Sequence, residues 1–177
     1  MVGKLVQHET MACTGMFNPL FFTHLWGAFH VFDWSRMSKT PLSGVAEAIM
    51  TQHIGTSPDT LDVGAAARRV QATLMTNLSF FLGEVGSFAL MRRGLRRTEG
   101  AFPWLVTLRD TELHELVNTF GRRVDEQTPD VGKNAAVLVL TSVLDLLAKL
   151  IGIELTLQVV RGTWPDVRLP IYTETQE

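Results

Sequence analysis

KNAAVLVLTSVLDLLAKLIGIELTLQVV, residues 133–160, decides the fold, because 18 of its 28 residues are Ala, Val, Ile or Leu. Only Lys133, Asp145, Lys149 and Glu154 are charged, and three of these fall inside the apolar run, which argues against a membrane span. The stretch reads as a central core helix, with Asp145 and Lys149 four residues apart and able to pair on one face. Its tail is ambiguous by period alone: Glu154, Thr156 and Gln158 alternate with Ile153, Leu155, Leu157 and Val159 as they would in a strand.

Amphipathic segments surround this core. Upstream, residues 125–132 read as a loop around Pro129, and residues 111–124 as a helix capped by Asp110. Leu113, Leu116, Val117 and Phe120 are at helical spacing there, with Glu112, Glu115, Arg122 and Arg123 outward. Phe102, Pro103, Trp104 and Leu105 form an apolar turn that pins its loop to the core. From Val63 a helix capped by Asp62 carries Val70, Leu74, Leu78 and Phe81 as its stripe. Gly83 and Gly86 mark a joint, and Val85, Phe88, Ala89, Met91 and Leu95 continue into a further helix that closes at Glu99 and Gly100. Before these, Leu42, Val45, Ala46, Ile49 and Met50 recur at three and four residues after Pro41. Gly55 and Pro58 stop that helix.

The N-terminal part has a different character. Residues 10–32 contain no Asp, Glu, Lys or Arg, and seven of the chain's aromatics fall in residues 17–34. Phe17, Phe21, Phe22, Leu25, Trp26, Phe29, Phe32 and Trp34 are the expected partner-binding residues, because exposed apolar surface of that density is unfavourable in water. Pro19 fits a helix start, and the helix that follows is apolar all round. The uncharged run matches a bilayer core in length, but Asn18, Thr23, His24, Gly27 and His30 dilute it, so burial in protein or at a membrane interface is the better reading.

At 177 residues the chain accommodates one domain with an extension, divided as a docking arm at 1–38, a bundle at 39–168 and a tail at 169–177. The apolar share is 46% and the charged share 19%, a deficit of charge that contact with a partner explains. A net charge of −2 offers no electrostatic case for nucleic acid. Cys13 is the only cysteine, which excludes an intrachain disulfide, and the first nine residues make a poor secretory signal. The expected location is the cytoplasm of a bacterial-type cell or the cytoplasmic face of its membrane.

Three blocks between residues 66 and 166 carry a resemblance: LGEVGSFALMRRGLRR at 82–97, FPWL at 102–105 and LIGIELTLQVVRGTWPD at 150–166. Their order resembles an uncharacterised family of bacterial all-helical proteins. The resemblance implies a helix through residues 153–160 that ends at a Trp-Pro stop, and it brings no activity with it.

Chemistry-bearing residues are sparse. No two of His8, His24, His30, His53 and His114 are three or four apart, so no helical metal pair results. His24 or His30 among aromatics could ligate a haem or chlorin, but hydrogen bonding at a packed interface is the commoner role. Asp145 and Glu154 in an apolar helix could be tuned for acid–base work, although pairing with Lys149 and Arg161 explains them more simply. Cys13 has no base beside it in sequence. Arg92, Arg93, Arg96 and Arg97 concentrate four cations in six positions, a candidate site for an anion or lipid headgroup whose plainer reading is a solvated helix end.

The expected fold is therefore an all-α bundle of five or six helices with a hydrophobic N-terminal arm. The expected function is a non-enzymatic subunit or adaptor that docks through that arm into a larger, membrane-associated assembly, with no cofactor and no metal. Its partners would be a protein or a second copy, with peripheral membrane contact and no nucleic acid. The alternative is a helical sensor that holds an apolar small molecule, lipid or haem-like, between its helices.

Overall fold

Leu42, Val45, Ala46, Ile49 and Met50 are all buried, and their three- and four-residue spacing makes α1 (Pro41–Ile54) a one-sided helix. A computed structural model describes residues 41–55 and 62–168. The docking arm expected at 1–38, most of the loop after Gly55 and the tail from residue 169 lie outside the described residues. Among the described residues the protein is all-α, with five α-helices, two short 3-10 segments and no strand.

α2 (Val63–Thr98) starts as its sequence predicts. Asp62 Oδ1 accepts a hydrogen bond from the Ala65 amide at 2.7 Å, satisfying one of the free N–H groups of the first turn. The neighbouring Gly64 amide donates to Asp125 Oδ1, also at 2.7 Å, which ties the start of α2 to the end of α3 (Leu116–Asp125). A side chain at Gly64 would collide with that carboxylate, since a Cβ there would lie 2.1 Å from Asp125 Oδ1.

Gly83 interrupts α2 with φ 70° and ψ 167°, a conformation that L side chains rarely adopt. The chain folds back there. Met75, Thr76 and Ser79 share a cleft with Glu84, Ser87 and Phe88, which follow the break. Both halves pack on α4 (Pro129–Ile151): Leu78 of the first half lines one groove with Leu147, and Gly94 of the second lies against Val143. A Cβ at Gly94 would sit 2.7 Å from Val143 Cγ2, so this glycine sets a close helix–helix approach.

α4 is the core element foreseen from sequence, with Ala135, Val139, Leu140, Val143, Leu144 and Leu147 buried. It begins earlier than expected. Pro129 occupies its first turn, where the missing N–H costs nothing, so the loop is residues 126–128 and not 125–132. It also ends earlier. Gly152, at φ 87° and ψ 158°, breaks the expected continuous helix and starts α5 (Ile153–Thr163). Residues 153–160 are helical, as the family resemblance implied, but only Thr156 and Val160 are buried, so the core helix does not extend to residue 160. α5 ends at Trp164, which is buried and meets His53 of α1 edge-on at 6.4 Å between ring centroids.

The segment between α2 and α3 also differs from its reading. The apolar turn is a 3-10 segment (Pro103–Leu108) that buries Phe102, Leu105 and Leu108, as expected. Asp110, however, caps nothing. Glu112 is extended, and its carbonyl accepts from the Glu115 amide at 3.1 Å, so a second 3-10 turn (Leu113–Glu115) precedes α3.

The two reversals make a direct prediction. Beyond the adjoining backbone, no described residue comes within 4 Å of a Cβ placed at Gly83, Gly152 or Gly162, so alanine there tests the backbone alone. Gly83→Ala and Gly152→Ala should each lower unfolding free energy by about 1–3 kcal/mol in urea titrations. Gly162→Ala, inside α5, should be neutral or stabilising by up to about 1 kcal/mol.

Candidate docking surface at the apolar end

Leu82 and Ile151 immediately precede the two reversals and line the same groove, so Gly83 and Gly152 lie at one end of the bundle. Large apolar side chains are exposed around them. Phe80 is 81% exposed, Phe81 74% and Leu150 64%, and Val85, Ile153 and Leu155 are also exposed. Burial of such a side chain is worth about 1.5–3 kcal/mol, so a surface that leaves six of them in water favours anything that covers it.

This corrects part of the sequence reading. Phe81, read as part of the apolar stripe with Leu78, is exposed, and so are Val85 and Ala89 of the helix that follows. Helical spacing places Phe81 correctly relative to Leu78. Its helix ends two residues later at the reversal, and no described element extends far enough to cover it.

Between α2 and α5, below this end, runs a groove of about 470 Å³. Leu78, Leu82, Leu147, Ile151, Leu155 and Val159 form its walls, with Phe81 at the rim. Asn77, Gln158 and Thr163 supply its polar atoms, and none of its described lining residues is charged.

The four arginines do not form one cradle. Arg92 is half-buried and its Nη2 donates to the Thr111 carbonyl, bracing the turn before α3, while its Nε is buried without an acceptor among the described residues. Arg92 and Arg96 flank a contact that sequence reasoning missed, the pair of Arg109 with Glu99. Arg109 Nε donates to both Glu99 carboxylate oxygens, at 2.9 and 3.1 Å, and its Nη2 donates to Oε2. The space left among these groups is about 10 Å³, less than a phosphate requires. Arg93 and Arg97 are exposed and make no hydrogen bond or ion pair to a described residue, so an anion would meet these two first.

The only sequence signal for the Glu99–Arg109 pair is its position, one charge on each side of the apolar turn at 102–105. Hydrogen bonds from Arg109 hold the Glu99 carboxyl below the usual carboxylate range, against the opposing effect of burial, and the charges of Arg109 and Arg96 add to the lowering.

Of the remaining candidates, Glu154 is exposed, which removes the buried environment proposed for it, whereas Asp145 is half-buried and Lys149 exposed. His53 Nδ1 contacts the Ile49 carbonyl at 2.9 Å, and His114 is an exposed neighbour of Glu112. Among the described residues no three His, Cys, Asp or Glu side chains come together as metal ligands. His8, Cys13, His24, His30 and the eight aromatic-arm residues lie outside the described residues.

By length and composition α2 and α4 are each apolar enough to cross a membrane, which is compatible with membrane association but weak evidence by itself, the more so for α2, which counts as one helix only across its reversal at Gly83. Most of the apolar window of α4 is already buried inside the protein. The chain matches no protein-family model, no curated protein and no solved structure.

Because the folded-state Glu99 carboxyl titrates lower than in the unfolded chain, its contribution to stability is complete above the ordinary carboxylate range and is lost as pH falls through the folded value. Glu99→Gln should therefore flatten the loss of stability between about pH 5 and pH 3, as measured by urea unfolding at stepped pH. An unchanged slope would mean that the Glu99–Arg109 pair is open in solution.

Proposed function

We propose that the protein is a non-enzymatic helical subunit or adaptor that docks into a larger protein assembly. The observation that carries this reading is the apolar end of the bundle. Six large side chains stand in water around Gly83 and Gly152, where a monomer alone gains nothing from them. The uncharged aromatic run at residues 10–32 supports the same reading independently, from composition alone.

Charge favours protein over lipid as the first partner. The exposed acids Glu84 and Glu154 flank the apolar end, whereas the arginines at 92–97 lie 9 to 14 residues further along α2, about 14–21 Å away. An anionic membrane would be repelled by the first group and attracted by the second, so the two features do not combine into one lipid-binding face. Association with a membrane-bound assembly, at its cytoplasmic face, is part of the proposal.

Native mass spectrometry of the full chain, gently purified from its own host, tests it. A stoichiometric complex with a protein partner or a second copy is the expected result. Phe80→Glu combined with Leu150→Glu should weaken that complex by at least about tenfold while leaving the thermal midpoint within a few degrees. A lone chain, or a complex indifferent to both substitutions, would reject docking through this end.

A further inference from the structure

The groove beneath the apolar end has properties that the docking reading does not need. Its volume, about 470 Å³, lies in the roughly 300–1,000 Å³ range of small-molecule sites. Its lining is graded along the helices. Near the reversals it is purely apolar, with Leu82, Ile151 and Leu155; one to two turns along α5 it becomes polar, with Gln158 and Thr163 opposite Asn77 of α2.

We propose that this groove binds a single-chain aliphatic molecule with an uncharged, hydrogen-bonding head, such as a long-chain alcohol or amide. The chain points towards Gly83 and Gly152 and the head lies by Asn77, Gln158 and Thr163. The apolar walls take the chain, and an occupant there also covers part of Phe81 and Leu155, which water otherwise contacts.

The polar atoms at the other end specify the head. Asn77 Nδ2 donates to the Thr73 carbonyl at 3.0 Å, which leaves its Oδ1 as an acceptor. Thr163 Oγ1 donates to the Val159 carbonyl at 2.8 Å and keeps its own lone pair. The Gln158 amide makes no hydrogen bond to a described residue and can both donate and accept. Two acceptors and one amide suit a hydroxyl or carboxamide. A carboxylate or ammonium head would find no counter-charge there, because no described lining residue is ionised.

This inference is separate from the docking proposal, whose test changes Phe80 and Leu150, neither of which lines the groove. The experiment is a fluorescence titration of the full chain with N-phenyl-1-naphthylamine, an uncharged apolar probe, followed by competition with decan-1-ol and with decanoate. Saturable enhancement is expected, with decan-1-ol displacing the probe at a concentration at least about tenfold lower than decanoate. Leu155→Glu, at an exposed rim position, should weaken probe binding by at least about tenfold, and Gln158→Leu should narrow the preference for the alcohol. Val131→Glu, exposed on another surface, should leave both unchanged. Absence of saturable binding, equal displacement by decanoate, or a Leu155→Glu variant that binds the probe as the parent does would each overturn the proposal.

Discussion

Two backbone conformations organise this protein. Gly83 and Gly152 both take positive φ with ψ near 160°, and at each a helix ends and its successor turns back within a single residue. The close approach of Gly94 to Val143 and the seating of α5 against Leu147 and Ile151 follow from these reversals. So does the exposure of Phe80, Phe81 and Leu150, since a one-residue reversal leaves no loop to lie over the side chains on either side of it. The apolar end is therefore a product of the same geometry that closes the bundle.

Sequence periodicity located the helices and most of the core. It could not see where helices reverse, because a hydrophobic pattern passes through a single glycine almost undisturbed. Residues 133–160 illustrate this: the apolar run continues across Gly152, and only the backbone at that residue divides a buried helix from a largely exposed one. The same blindness leaves Phe81 in the apolar stripe with Leu78. Helical phase was right, but coverage depends on where neighbouring helices stop, which is tertiary information. Pro129 and Glu112 show the smaller failure of boundaries, where a proline opened a helix instead of sitting in a loop and a 3-10 turn replaced an expected cap.

The candidate site was legible in kind but not in place. Aromatic density pointed to an apolar interaction surface at residues 17–34, and the structure adds one at the Gly83 and Gly152 end, assembled from residues about 70 apart in the chain. The arginine group was visible as a charge concentration. Its division into a brace on Thr111, a neighbour of Glu99 and two cations without a partner among the described residues depends on the fold of residues 99–111, which no local pattern announces.

Single-residue reversals also bear on how the chain assembles. The entropy lost in closing a loop grows with the number of residues it contains, and here each of two helix pairs is closed over one. Met75 and Phe88, which line one cleft, are thus near in sequence although they belong to different helices, and topologies rich in local contacts reach the native state quickly. The long-range clasp of Asp125 on Gly64, across 61 residues, then has only to join units whose internal geometry two glycines have already set.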